Sequence, residues 1–365
     1  MIGKICQLIV LLLTLVLLGT NQLSAQNLPT IKLGYIFTTN HTPLIVALAK
    51  GADYTAAGYS LSPIIPKEKY ELRRDGRAIA VLDIVVAKSG SEVSTLFAQK
   101  HLDMSLASIT AIIAGIDKDV PIKIVAPVVL VSGGLVVSAE SEINDWHGFI
   151  AAIKSGREAF KIGYHSPTSA PLIIMESALI SEGLKISRNP NDAEAQVIMV
   201  DLKETGNMLP ALASGQVEAV VGPAPFPQNA VIKGTGKFIQ ELRDMPPQGK
   251  WSDYPCCVMV ASYDLMAQRP ELVKDFVKFL TASSAWCNEH QQEAGEIAAA
   301  WLGLNPEVGR NLNQRFVPAF SDGWKEAAAG YLEVLDQAGY FKGILKGKSF
   351  PEVEGRLLDE RFIQP

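Results

Sequence analysis

Charge, cysteine and histidine are all scarce in this chain. Charged residues make up 19% of 365, the formal net charge is −5, and no cluster of lysine and arginine stands out. Nucleic acid is therefore not an expected partner, because phosphate binding needs a concentrated basic face. The four cysteines, Cys6, Cys256, Cys257 and Cys287, lack the spacing of a zinc site. No H-E-x-x-H pair, P-loop, post-strand G-x-G-x-x-G or G-x-S-x-G elbow occurs, so no catalytic site, metal or other cofactor is expected. Long apolar runs are also missing, apart from Leu8–Leu18, which only Thr14 interrupts. Lys4 precedes that run, Gly19-Thr20-Asn21 ends it, and Leu23-Ser24-Ala25 offers a small residue for cleavage. The run is short of the roughly 20 residues that span a bilayer, so residues 1–25 read as a signal peptide. No cysteine follows it to carry a lipid. Three cysteines lie beyond it. They either pack as small hydrophobes or bridge Cys256 or Cys257 to Cys287.

Hydrophobic residues are 48% of the chain, enough for two domains with a sizeable core. Strand patterns alternate with helix patterns, which implies parallel βαβ sheets. Ile31–Phe37 reads as a strand, Thr38–His41 as a polar loop, Thr42 as a helix cap and Pro43 as the first helical residue. Tyr59–Leu72, with the charged run Lys67–Arg74, reads as a surface hairpin or excursion with its turn at Asp75-Gly76, within a long link over Tyr54–Leu82. Ile79–Ala87, Leu102–Leu106, Ile122–Val131 and Leu135–Ser138 read as strands, and Ile109–Asp117 as a helix. Further on, Phe160–Tyr164, Gln196–Val200, Glu218–Val221 and Val258–Ser262 read as strands. From Pro270 the chain reads as helices over Pro270–Ser283, Ser284–Leu302, Asn305–Gln314 and Ser321–Ala338.

The chain repeats itself. Lys32-Leu33-Gly34-Tyr35 answers Lys161-Ile162-Gly163-Tyr164, and Pro43-Leu44-Ile45 answers Pro171-Leu172-Ile173. Leu96–Ser108 answers Ala211–Pro223, with Asp103 aligned to Glu218. Two echoes in one order imply two lobes of similar build. Ligands of such sheets sit off the carboxyl ends of the strands, often at helix N-termini. Four loops then line one cleft: Thr38–Thr42, Ala107–Thr110, His165–Ser169 and Gly222–Pro225.

These segments resemble the type II periplasmic solute-binding proteins of ABC transporters, and within them the nitrate/sulfonate/taurine and thiamine-precursor family. Ala211–Lys237 is similar to that family's second-lobe segment, and Arg269–Leu304 to its helical tail. The resemblance covers Ile31 to Val317. It implies an α/β fold of two doubly wound lobes joined by a hinge, with a helical C-terminal region. Lobe 1 would take residues 27–131 and 258–365, lobe 2 residues 132–257. Hinge crossings would fall near 131–135 and 249–258. It also implies a periplasmic monomer that captures a small polar or anionic organic solute and delivers it to a membrane permease. The alternatives are an exported sensory binder, or an enzyme on the same fold in pyrimidine or quinone precursor metabolism. Carried onto this chain, the ligand contacts fall at Thr38, Thr39, Asn40, Ser108, Thr110, Ser166, Thr168, Ser169, Gly222 and Pro223. His41 and His165, read as equivalent loop positions, join them as candidates. The loops contain no Arg, Lys or carboxylate. The family's aromatic and Glu-Pro near the fourth loop are missing here, where the loop is Gly-Pro-Ala-Pro. Trp251, near the second crossing, is a candidate to reach the cleft.

Overall fold

A computed structural model describes residues 28–363, so the signal-peptide reading of residues 1–25 lies outside the described residues. Strand β1 (Thr30–Ile36) leads through a 3-10 turn into helix α1 (Thr42–Lys50). A meander of β2 (Tyr59–Ile65), β3 (Lys69–Arg74) and β4 (Arg77–Ala87) follows. Asp75 and Gly76 turn between β3 and β4, both at positive φ (48° and 79°), which is the backbone a two-residue hairpin needs. The apparent excursion is therefore the widened edge of a sheet. Next come α2 (Gly90–Ala98), β5 (Met104–Ser108), α3 (Ile109–Asp117) and β6 (Ile122–Leu130).

The chain then crosses to a second sheet. That sheet is built from β7 (Gly133–Ser138), α4 (Trp146–Ser155), β8 (Phe160–Tyr164), α5 (Ala170–Ser181), β9 (Ile186–Ser187) and β10 (Val197–Asp201). It continues through α6 (Met208–Ala213), β11 (Ala219–Pro223), α7 (Phe226–Ile232) and β12 (Gly236–Glu241). Strand β13 (Pro255–Ser262) returns to the first sheet. Helices α8 (Tyr263–Gln268), α9 (Pro270–Glu289), α10 (Gln291–Trp301), α11 (Pro306–Arg310), α12 (Asp322–Gln337) and α13 (Phe350–Leu357) complete the described chain.

The first sheet has the order β2-β3-β4-β1-β5-β13-β6, the second β12-β7-β11-β8-β10-β9. Neither is wholly parallel, against the expectation from sequence. β1 pairs parallel with β4 and β5, and β8 with β10 and β11. β13, however, pairs antiparallel with β5 and β6, and β7 antiparallel with β11 and β12. The crossings explain these two strands, since a strand arriving from the other lobe enters its sheet from the cleft end, while the antiparallel β2-β3-β4 edge comes from its hairpins. Gly133 makes the first crossing possible. It has φ +109°, and a Cβ there would lie 2.3 Å from the Gly222 carbonyl oxygen.

Other differences are local. Thr42 is the first helical residue and no cap, and its hydroxyl donates to the Thr39 carbonyl at 2.6 Å. Helix α9 runs through Ser283 and Ser284 and breaks only at His290. Ser283 is fully buried, donates to the Pro43 carbonyl (2.9 Å) and meets the Tyr54 hydroxyl (2.9 Å). A serine so committed has no reason to interrupt the helix. β12 was not anticipated, because Gly234 and Gly236 mask a strand that pairs only at the edge.

The repeat has a physical basis. Asp103 accepts from the Lys32 N–H at 2.8 Å, and the Asp103 N–H donates to the Lys32 carbonyl at 2.9 Å. Glu218 does the same with Lys161, at 2.8 and 3.0 Å. In each sheet one carboxylate pins the start of the leading strand to its neighbour. Asp103→Ala and Glu218→Ala should each cost about 1 kcal/mol in urea unfolding, and the costs should add because the two contacts lie in different sheets.

Candidate functional site

The loops at the carboxyl ends of β1, β5, β8 and β11 face one another between the sheets. They enclose a cavity of about 30 Å³ lined by Ile36, Thr38, Asn40, Gly90, Ser108, His165, Ser166, Ser169, Pro171, Thr205, Pro223, Cys256 and Cys257. Seven of the twelve sequence candidates line it: Thr38, Asn40, Ser108, His165, Ser166, Ser169 and Pro223. Thr39, His41, Thr110, Thr168 and Gly222 lie in the same loops without lining it. Trp251 is fully buried against Tyr254 and Tyr331, with its ring N–H given to the Pro246 carbonyl (3.0 Å), and does not reach the cavity.

Asn40 is the hub of the floor. Its Oδ1 accepts from Ser132 Oγ at 2.8 Å and from Gln314 Nε2 at 2.6 Å. Its Nδ2 donates to Cys256 Sγ at 3.3 Å, and its backbone N–H to Thr38 Oγ1 at 3.2 Å. One amide thus joins the first loop, the outgoing crossing, the returning strand and the C-terminal region. All four side chains named are buried.

The roof is a set of hydrogen bonds between the two halves. Thr38 Oγ1 donates to the Ala224 carbonyl at 2.7 Å. Ser91 Oγ lies 3.0 Å from Ser166 Oγ and 2.9 Å from Thr168 Oγ1. Thr110 Oγ1 donates to the Thr168 carbonyl at 2.7 Å, and the Ala170 N–H reaches Ser108 Oγ at 3.4 Å. The halves are therefore closed on each other, and Thr110 and Thr168 serve that closure.

The two histidines differ. His41 is wholly buried, and its Nδ1 accepts from the Ile36 N–H at 3.1 Å. Burial pulls it down to about 3, so it is a neutral brace for its own loop. His165 lines the cavity with Nδ1 unpartnered, and burial pulls it down to about 4. The two are not equivalent. The offset that aligns Tyr35 with Tyr164 pairs His165 with Ile36, and both line the cavity. Across the one-residue gap, His41 pairs instead with Ser169.

Several wall residues escaped the sequence reading. Gly90 and Thr205 are related by the same offset that aligns Leu96–Ser108 with Ala211–Pro223, so extending that repeat backward finds them. Cys256 and Cys257 escaped because consecutive strand residues ordinarily face opposite ways. Register shifts in β13 on either side of Cys257 bring both thiols to the cavity, 3.8 Å apart. The neighbouring Cys256 thiol and burial push the Cys257 thiol well above the usual range. All three described cysteines are free. Among the described residues no group of three His, Cys, Asp or Glu side chains gathers to hold a metal.

Asn40→Ala should lower unfolding stability by about 2–4 kcal/mol, since it strands the buried partners Ser132 and Gln314. The histidines supply a pH test. A buried neutral histidine with a lowered folded pKa loses stability as pH falls through its unfolded value, because the unfolded chain takes the proton first. Stability should therefore fall between pH 6.5 and pH 4. His165→Asn should remove about 2 kcal/mol of that loss at pH 5, measured by urea unfolding of both proteins.

The architecture matches solved structures. The ligand-binding component of an ABC-type import system from Staphylococcus aureus, solved with zinc bound, aligns with TM-score 0.69 at 13% identity, over 92% of this chain and 98% of that one. The periplasmic nitrate-binding protein NrtA from Synechocystis PCC 6803 aligns at 0.67 and 16% identity, over 92% and 87%. The alkanesulfonate-binding protein SsuA from Xanthomonas axonopodis pv. citri, bound to MOPS, aligns at 0.63 and 12%, over 87% and 96%. The fold is the two-lobed periplasmic binding fold. No curated protein sequence matches the chain. The NMT1-like family matches residues 24–303, both lobes and the cavity between them, and the chain belongs to that family.

Proposed function

We propose that this protein is an exported solute-binding protein, which closes its lobes on one small organic solute and hands it to an ABC permease. The observation that carries this reading is the cavity itself. Both lobes wall it, and hydrogen bonds that must break on opening roof it. Such an arrangement couples occupancy to lobe closure, as a carrier requires. In this reading lobe 1 comprises residues 27–131 and 258–365, and lobe 2 residues 132–257. The two sheets support that division, with the crossings at 131–132 and 242–254. Delivery to a permease is supported by the neighbours described as components of ABC import systems. Binding, without turnover of the solute, is supported by the neighbours described as a ligand-binding component, an alkanesulfonate-binding protein and a nitrate-binding protein. Among the described residues no helix is long and apolar enough to cross a membrane.

Ser91 offers a clean test, because it bridges to Ser166 and Thr168 from outside the cavity wall. Native mass spectrometry of gently purified protein should reveal a retained solute. Solution scattering should show a smaller radius of gyration with that solute than without it. Ser91→Ala should weaken binding several-fold, about 1 kcal/mol for one hydrogen bond. A protein whose radius does not respond to any bound solute is not a closing carrier.

A further inference from the structure

The small cavity opens beside a much larger compartment of different character. Thr38, Thr205 and Pro223 border both. The outer compartment has about 520 Å³ and draws its walls from both lobes: Phe37, Leu302 and Leu304 from one, Leu209, Pro225 and Phe226 from the other. Phe37 is 48% exposed and turns an apolar ring toward this compartment. Among the described residues Lys233 is the one charged side chain bordering this vestibule, and none borders the inner cavity.

The inner cavity is also poorly equipped to hold an anion. Helix N-termini bind oxyanions through free backbone N–H groups, and at three of the four cleft loops the foremost of these are missing or spent, the start of α3 being the exception. Pro43, Pro171 and Pro227 occupy the first turns of α1, α5 and α7, and proline has no N–H. The Asn40 N–H is given to Thr38 Oγ1 and the Ala170 N–H to Ser108 Oγ. Beside the wall hydroxyls and the start of α3 stands His165, buried, uncharged, and with Nδ1 lacking a partner. An imidazole in that state exchanges one hydrogen bond with a neutral group and offers no charge to an anion. The helix dipoles persist, but they polarise a bound group without ligating it.

We infer that the solute is an uncharged amphipath, whose compact hydrogen-bonding head sits against His165 in the inner cavity and whose apolar body fills the vestibule. This rests on the solute-binding reading above and narrows it. A nitrate- or sulfonate-type head would lose its hydration in the cavity and find no charged side chain among the lining residues to replace it.

The test is isothermal titration with matched pairs that share a body and differ in head charge. Phenylpropionamide is set against phenylpropionate and benzenesulfonamide against benzenesulfonate, with acetamide and nitrate as heads without bodies. The expected result is at least tenfold tighter binding of the neutral member of each pair, with acetamide weaker than phenylpropionamide. Phe37→Ser, at an exposed position, should weaken the phenyl probes about tenfold and leave acetamide unchanged. Equal or tighter binding of the anions overturns the inference and leaves the two-lobed carrier standing. Binding of the neutral probes that ignores Phe37→Ser overturns the placement of the apolar body. If no probe of either class binds, and the purified protein retains no solute, both the inference and the carrier reading fall.

Discussion

The arrangement of the cleft depends on one buried amide. Asn40 holds Ser132 and Gln314 on its oxygen, Cys256 on its nitrogen and Thr38 on its backbone N–H. Those partners belong to the outgoing crossing, the returning strand β13, the C-terminal region and the first loop. None of them is near another in sequence. A buried acceptor with both lone pairs filled is worth little more than it would gain from water, but an orphaned one is costly. The amide therefore acts less as glue than as a geometric requirement. The crossings must meet the loop in one register, or polar groups are left stranded.

Around that fixed floor the structure uses contacts of graded strength. The roof is made of single hydroxyl bonds between Thr38, Ser91, Thr110 and the opposite lobe, each individually weak and all close to the opening. The side away from the cleft is braced differently. Asp117, at the end of α3, accepts from the backbone N–H groups of Lys342, Gly343 and Leu345 and pins the C-terminal segment to the first lobe. Tyr340 on that segment donates to Glu176 in the second lobe, and Arg188 grips the same carboxylate at 2.7 Å. Burial raises the Glu176 carboxyl, and the Arg188 guanidinium works against that rise. A C-terminal element thus rests on both lobes at the back while only hydroxyls hold the front. That asymmetry is what a cleft opening on one side requires.

Much of this was legible from local chemistry. Asp75-Gly76 marked its hairpin because two consecutive positive φ angles suit few other residue pairs. Helix α3 fell where its sequence reading put it, since Ile109–Asp117 is apolar on all sides and lies between a strand and a turn. The repeated Lys-x-Gly-Tyr strands and their Asp103 and Glu218 partners were visible as an echo. The reciprocal bonds to Lys32 and Lys161 show why both members of each pair are present. The strands that change lobes were read less well. Their direction depends on where the chain has come from, which no window of sequence contains. Phe37 and Leu304 were likewise invisible as partners, because 267 positions and both crossings separate them.

By itself the sequence determined the two-lobed α/β plan, the four strand-end loops and the uncharged character of those loops. The two-lobed plan came from the internal repeat, and the loops and their character from hydrophobic period, turn chemistry and residue type, which act over a few neighbours. Tertiary structure alone decided which loop residues face the cavity. It turned His41 inward as a brace and left His165 free, although both stand in polar loops after strands. It brought Cys256 and Cys257 to one face through a bulge, and set an apolar vestibule beside a polar cavity. These outcomes depend on how two sheets are docked, and docking is governed by buried partners such as Asn40, Ser132 and Gln314 that meet only when the whole chain has folded.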